Sequence, residues 1–131
     1  MPPTGRYLLD TSIVVALFQG DPVIQARLAE VPEVFLPSVV LGELHYGAAR
    51  SGKSDANAAR VDEFAGSCTV LPIDALTARR YGQVKGQLKA RGRPIPENDV
   101  WIAACALVHN LVLATRDRHF EEVEGLASEA W

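Results

Sequence analysis

The chain has 131 residues, of which 48% are hydrophobic and 22% charged, and this size and composition predict one globular domain over residues 1–131. Its net charge of −3 argues against tight, non-specific binding to nucleic acid, although eight of the thirteen Lys and Arg residues fall between positions 79 and 118. Residues 1–5 lack the features of a signal peptide and the longest apolar stretch, 101–108, is too short to cross a bilayer, so we expect a cytoplasmic protein with no membrane partner.

The first predicted element is a buried parallel strand at residues 7–9, which ends at a carboxylate, Asp10. We expect Thr11 or Ser12 to cap the helix that begins at Ile13. Open α/β sheets bind their ligands at the carboxyl ends of the strands. Asp10 is therefore the first candidate for the floor of a site.

Predicted strands and helices alternate through the rest of the chain. This alternation is typical of a parallel sheet with helices on both faces, and it predicts an α/β fold. The further strands are expected at 34–36, 68–71 and 111–114, and the further helices at 22–30, 39–50, 55–65, 75–91 and 100–109.

Helix faces and helix ends can also be predicted. The four-residue spacing of Val40, Leu44 and Ala48 indicates the buried face of the helix at 39–50. Gly42 and Gly47 in the same helix each cost about 1 kcal/mol relative to Ala, so we expect this helix to lie at an interface that compensates. In the two later helices we expect an inward face made by Leu76, Tyr81, Val84 and Leu88, and a cap at Asn98.

Four acids stand out by position, since two follow strands, one opens a helix and one lies among apolar helix neighbours. Carboxylates that are buried or crowded repel one another unless a cation neutralises them. Oxygen ligands without a histidine or cysteine consensus favour Mg²⁺ or Mn²⁺, and such an ion suits phosphodiester hydrolysis. In chain order these acids are Asp10, Glu43, Asp99 and Asp117.

Each acid also has an ordinary structural interpretation. Asp99 can complement a helix dipole, Glu43 can face solvent, and Asp117 can be a turn residue. Asp10 is the hardest to explain in this way, because an acid that ends an apolar strand has little access to water. The conjunction of the four therefore indicates a site more strongly than any one of them. His119 is near enough to Asp117 in sequence to touch a substrate, but we assign it no role.

Four segments resemble the successive motifs of PIN-domain ribonucleases and, more narrowly, of the VapC-type toxins of bacterial toxin–antitoxin pairs. The likeness runs from about residue 7 to residue 126, and its third segment is the most specific. The segments are LLDTS at 8–12, PSVVLGEL at 37–44, PIPENDVWIAA at 94–104 and TRDRHF at 115–120.

This resemblance implies a three-layer α/β/α fold with a central parallel sheet of four to five strands in the order 3-2-1-4-5. It implies an endoribonuclease that depends on Mg²⁺ or Mn²⁺, acts on structured RNA such as tRNA or rRNA, and forms a homodimer. It also implies a cognate antitoxin that covers the site.

The resemblance also assigns roles by position. Asp10, Glu43, Asp99 and Asp117 would form the acidic quartet. Asp10 and Asp99 would be direct metal ligands, while Glu43 and Asp117 would act directly or through water. Supporting hydroxyls would come from Ser12 and Thr115, and substrate contacts from Arg116 and Arg118.

Three rival interpretations come from other classes of protein. The segment GAARSGKS at 47–54 matches the phosphate-loop pattern, but that motif needs a preceding strand and a helix is predicted here. A phosphoacceptor domain needs an acidic pair after the first strand and a late lysine, whereas Asp10 is followed by Thr11 and the last lysine is Lys89. A non-catalytic binding module with the same fold stays open.

Overall fold

The computed structural model describes residues 5–131, in which five short strands alternate with helices. The strands are β1 (Arg6–Leu9), β2 (Glu33–Pro37), β3 (Thr69–Leu71), β4 (Val112–Thr115) and β5 (Ser128–Ala130). They form one sheet in the order β3-β2-β1-β4-β5, and every pairing in it is parallel. The predicted α/β fold and strand order are thus confirmed.

Six α-helices and one 3₁₀ helix connect these strands within the described residues. In the part of the chain from residue 5 onward, no helix has the length and apolar character that a membrane crossing requires. The helices are α1 (Thr11–Phe18), α2 (Pro22–Glu30), α3 (Ser38–Ala49), α4 (Ser54–Gly66), α5 (Ala75–Ala90) and α6 (Glu97–His109), and the 3₁₀ helix is Arg118–Glu122.

The central position of β1 explains its apolar sequence. Leu8 and Leu9 point to opposite faces of the sheet, and both are fully buried. On the neighbouring strand β4, Leu113 and Ala114 are likewise fully buried. Helices therefore cover both faces at the centre of the sheet, which is the arrangement in which continuous apolar strands are stable.

The start of α1 differs from the sequence prediction. The helix begins at Thr11, and the residue that precedes it, Asp10, has extended backbone and makes no capping hydrogen bond. The Ser12 hydroxyl donates to the Asp10 carboxylate instead of capping the helix. The prediction that Thr11 or Ser12 caps a helix from Ile13 is therefore wrong, because the Thr11 hydroxyl donates to Glu43 and the Ser12 hydroxyl to Asp10.

The start of α6 also differs. The helix begins at Glu97, three residues earlier than predicted, and Pro96 precedes it with a non-helical backbone (φ −54°, ψ 146°). A proline is tolerated there because the first N–H groups of a helix have no intrahelical partner. Asn98 consequently lies inside the first turn and is not the cap.

The buried face of α5 was predicted only in part. Val84 and Leu88 are buried, but Leu76 is 63% exposed, so its assignment to the inward face is wrong. Thr77 takes the inward position in the first turn, because its N–H and hydroxyl both donate to the Asp74 cap. These hydrogen bonds satisfy a buried polar side chain at the start of the helix.

The strand β5 lies beyond the last strand located from the sequence. It pairs with β4 and leads to Trp131, which is buried and packs on Tyr7 with 5.0 Å between the ring centroids. The Trp131 indole N–H donates to Glu129. The order 3-2-1-4-5 is complete only with this edge strand.

Candidate active site

Asp10 lies at the carboxyl end of the central strand and is 4% exposed. Two hydroxyls donate to its Oδ2, from Ser12 and from Thr115, each at 2.8 Å. Its backbone N–H donates to the Ala114 carbonyl of β4 at 3.0 Å. The carboxylate is therefore fixed from both sides while remaining part of the sheet edge.

Asp117 reaches the same edge because β4 pairs beside β1. Leu9 pairs with Ala114, so the residues that follow each strand emerge next to one another. The Asp117 N–H donates to the Thr115 hydroxyl oxygen at 2.9 Å, and the Asp117 carboxylate caps the 3₁₀ helix by accepting from the His119 N–H. Thr115 thus joins Asp10 to the backbone of Asp117.

Asp99 projects from the first turn of α6 and its side chain is 13% exposed. The pKa of Asp99 is raised to about 6, mainly by burial and also by the neighbouring charges of Asp10 and Asp117, while His119 opposes the rise. These influences show that the structure brings three of the four predicted acids together.

Glu43 is the fourth acid and comes from α3. Its Oε1 accepts a hydrogen bond from the Thr11 hydroxyl at 2.8 Å, and Thr11 directly follows Asp10. This contact places Glu43 beside the same edge of the sheet. Among the described residues, however, Glu43 and Asp10 are not part of the compact cluster that Asp99 and Asp117 form with His119.

His119 is the site residue to which the sequence reasoning gave no role. Its Nδ1 lies 3.0 Å from Asp117 Oδ1 and 3.4 Å from Asp99 Oδ2. The only sequence signal for this placement is its position two residues after Asp117 in the TRDRHF segment. That separation becomes informative once the turn is known to be a 3₁₀ helix capped by Asp117.

The two predicted substrate-binding arginines have different surroundings. The Arg116 guanidinium contacts the Asp21 carboxylate at 2.9 Å and donates to the Trp131 carbonyl at 2.7 Å. Its hydrogen bond is also the main cause of a lowered pKa at Asp21. The Arg118 side chain is 90% exposed and contacts Glu121. Of the two arginines, Arg118 therefore has the side chain that is more accessible to a substrate.

The site suits a hard divalent cation on the chemistry of its donors. Asp10, Asp99 and Asp117 offer carboxylate oxygens, which are the ligands that Mg²⁺ and Mn²⁺ prefer. Burial is the main cause of the raised pKa of Asp99, and the nearby charges of Asp10 and Asp117 add to it, so an ionised Asp99 is unfavourable in the protein alone. A bound cation would relieve the repulsion among these charges.

The segment GAARSGKS at 47–54 does not have the structural surroundings of a phosphate loop. Its first glycine, Gly47, is inside α3, and Ser54 begins α4. A helix therefore precedes the loop, as expected from the sequence, and the strand-to-loop geometry of a phosphate cradle is missing from this described segment.

The comparisons with known proteins agree over nearly the whole chain. Residues 7–126 match the PIN domain. Ribonuclease VapC2 of Haemophilus influenzae is 33% identical over 129 residues, which cover 96% of this chain and 98% of the relative. The tRNA(fMet)-specific endonuclease VapC of Shigella flexneri is 34% identical over 135 residues, with the same coverage.

Solved structures give the same result. The DNA-bound VapBC of Salmonella typhimurium matches with a TM-score of 0.90 at 30% identity, covering 96% of this chain and 98% of that one. VapBC2 of Rickettsia felis, bound to a promoter DNA fragment, matches with a TM-score of 0.89 at 29% identity, covering 95% and 98%. The chain therefore belongs to the PIN-domain family and, within it, to the VapC-type proteins.

Proposed function

We propose that this protein is a metal-dependent endoribonuclease toxin that hydrolyses phosphodiester bonds in structured RNA. The observation that carries the proposal is the convergence of Asp10, Asp99 and Asp117, from three distant segments, at the carboxyl edge of the sheet. Mutual charge repulsion costs stability in the protein alone, so the cluster is best explained by a bound cation. The VapC-type relatives named as ribonucleases support the activity.

The four acids are proposed to have different roles in metal binding. Asp10, Asp99 and Asp117 would hold the ion, and Glu43, which accepts from Thr11 beside Asp10, would support it directly or through water. Bound there, Mg²⁺ or Mn²⁺ supplies an activated water nucleophile and offsets the charge that develops on the phosphate. Ser12 and Thr115 keep the Asp10 carboxylate in one orientation through their hydrogen bonds.

The substrate is proposed to be tRNA or rRNA. The Shigella flexneri relative is named as a tRNA(fMet)-specific endonuclease, which supports a structured RNA. Arg118 follows Asp117 directly and extends into solvent, so it can contact a phosphate beside the cut bond. Arg116 already forms an ion pair with Asp21, so we assign it the smaller role in substrate binding.

A cognate antitoxin is the proposed inhibitor, since the matched VapBC structures are complexes of this kind. A groove of about 440 Å³ runs beside Glu43 between α1, α3 and α4. Its lining is mainly apolar, with Val15, Phe18 and Leu44 among its residues, and Thr11 lies at the active-site end. We assign this groove to an apolar segment of the antitoxin.

The homodimer is proposed on the exposed face of α3. Tyr46 is 64% exposed and Ile73 is also exposed, and both line a shallow depression with Val39 and Trp101. A Cβ at Gly42 in the same depression would meet no atom within 4 Å. No described part of the same chain packs closely against Gly42, so its surface is open to a second molecule. This agrees with the interface that the sequence predicts for α3.

The test of the activity is cleavage of purified tRNA and rRNA with and without Mg²⁺ or Mn²⁺. We expect cleavage that stops with EDTA and is lost in Asp10→Asn and Asp99→Asn while both variants stay folded. Asp62→Asn is the matched control, because Asp62 pairs with His45 on the surface of α4. Retained cleavage in either folded active-site variant, after contaminating nucleases are excluded, would overturn the proposal.

A further inference from the structure

His119 and two acids form the most compact group of possible metal ligands among the described residues. One ligand atom from each of Asp99, Asp117 and His119 lies within 4.8 Å of the others. The His119 Nδ1 is 3.0 Å and 3.4 Å from the nearest carboxylate oxygens of the two acids. Adjacent ligands of an octahedral ion with bonds of about 2.1 Å lie roughly 3 Å apart. The imidazole nitrogen is therefore spaced like a ligand neighbouring both carboxylates.

The chain fixes the position of this ring through its backbone. The His119 N–H donates to the Asp117 carboxylate at 2.9 Å, so the two side chains start from one capped turn. The next residue, Phe120, is fully buried and anchors the turn in the core. The His119 side chain itself is half exposed, and the core does not depend on it.

We propose that His119 is a nitrogen ligand of the active-site ion, and that it makes the site prefer Mn²⁺ over Mg²⁺. This inference rests on the proposed function for the presence of the ion. Mg²⁺ selects oxygen ligands and keeps several waters, whereas imidazole binds transition metals better than it binds Mg²⁺. A further protein ligand that is a nitrogen therefore adds more affinity for Mn²⁺ than for Mg²⁺.

A purely electrostatic role for the ring makes the opposite prediction. If His119 only balanced the charges of Asp99 and Asp117, an incoming cation would have to displace it. Removing the ring would then leave metal affinity unchanged or increase it. The two roles are thus separated by the sign of the effect on Mn²⁺ binding.

The experiment measures metal binding to the purified protein without RNA. Mn²⁺ binding is followed by electron paramagnetic resonance, Mg²⁺ binding by competition, and nitrogen coordination by the ¹⁴N modulation of the bound Mn²⁺ signal. The wild type is compared with His119→Gln and with the matched control His45→Gln, whose ring pairs with Asp62 on the surface. Circular dichroism checks that both variants are folded.

We expect ¹⁴N modulation in the wild type and in His45→Gln, and its loss in His119→Gln. Mn²⁺ affinity in His119→Gln should fall by at least the roughly tenfold that loss of a second-shell partner can cost, with a smaller change for Mg²⁺. Persisting ¹⁴N modulation, or an unchanged ratio of the two affinities, would overturn the role of His119 while leaving the nuclease assignment intact. A wild type that binds neither ion would overturn both this inference and the proposed function.

Discussion

Thr115 donates its hydroxyl hydrogen to Asp10 across two neighbouring strands, with 2.8 Å between Oγ1 and Oδ2. The two residues are 105 positions apart in sequence. The same hydroxyl oxygen accepts the Asp117 N–H, so one small side chain links two acids of the site. The Thr115 side chain is buried, so water has little access to replace its hydrogen bonds.

Thr115→Val should therefore weaken both the site and the fold. The valine keeps the shape but removes a donor to Asp10 and an acceptor for Asp117, which costs about 1–3 kcal/mol of unfolding free energy. We expect kcat/KM for RNA cleavage to fall about tenfold or more, since misorienting a ligand acts like losing a second-shell partner. Thermal unfolding and cleavage kinetics measure the two effects.

Thr69→Val is the matched control for this change, because Thr69 is exposed on the edge strand β3. It should leave both quantities almost unchanged. An unaltered kcat/KM in Thr115→Val would show that the hydroxyl does not hold Asp10 in its active orientation.

The raised pKa of Asp99 predicts how stability depends on pH in the ion-free protein. The folded state holds this proton up to a pH of about 6, whereas the unfolded chain loses it near the ordinary value of 3.8. The folded state binds more protons between these values, so the Asp99 contribution lowers stability as pH rises from about 4 to 6. Above about pH 7 the penalty is constant.

Asp99→Asn should remove that penalty. In EDTA, the variant is expected to gain about 1–2 kcal/mol over the wild type as pH rises from 4 to 7, after allowance for solvent screening. Urea unfolding at several pH values measures this difference. A stability difference that does not change across this range would mean that burial and the charges of Asp10 and Asp117 do not raise the pKa of Asp99.

The sequence allowed prediction of the acids that follow strands, because an apolar run that stops at a carboxylate defines both the strand and the edge. Asp10 and Asp117 were found in this way. The placement of His119 and the destination of the Arg116 side chain were not predictable. Both depend on contacts with residues far away in sequence, such as Asp99, Asp21 and the Trp131 carbonyl.

The predictions of one helix cap and one buried helix position were wrong for a related reason. Ser12 has the sequence character of a cap, but a buried carboxylate offers it a stronger charge-assisted hydrogen bond. Leu76 has the character of a core residue, but the Asp74 cap turns Thr77 inward in its place. Fold class follows from periodicity, whereas such choices depend on which polar partner the fold supplies.

Tyr46→Glu tests the proposed dimer face on α3. A charge in an apolar interface leaves an unpaired buried group, so the dimer should dissociate while each monomer stays folded. Light scattering over a range of protein concentrations measures the mass. Val23→Glu is the control, since Val23 is an exposed apolar residue on α2 and is not part of this depression. A wild type that is monomeric at all concentrations, or a variant that stays dimeric, would refute the assignment.

Arg118→Gln and Arg116→Gln form a matched pair that separates substrate binding from structural support. Arg118 has an exposed side chain next to Asp117, so its loss should raise KM several-fold and reduce the salt dependence of RNA binding by about one phosphate contact. Arg116 bridges Asp21 and the Trp131 carbonyl, so its loss should mainly lower the melting temperature. Binding titrations at several salt concentrations and thermal unfolding measure the two outcomes. The assignment fails if Arg116→Gln changes the salt dependence and Arg118→Gln does not, because the phosphate contact would then belong to the arginine that is held by the fold.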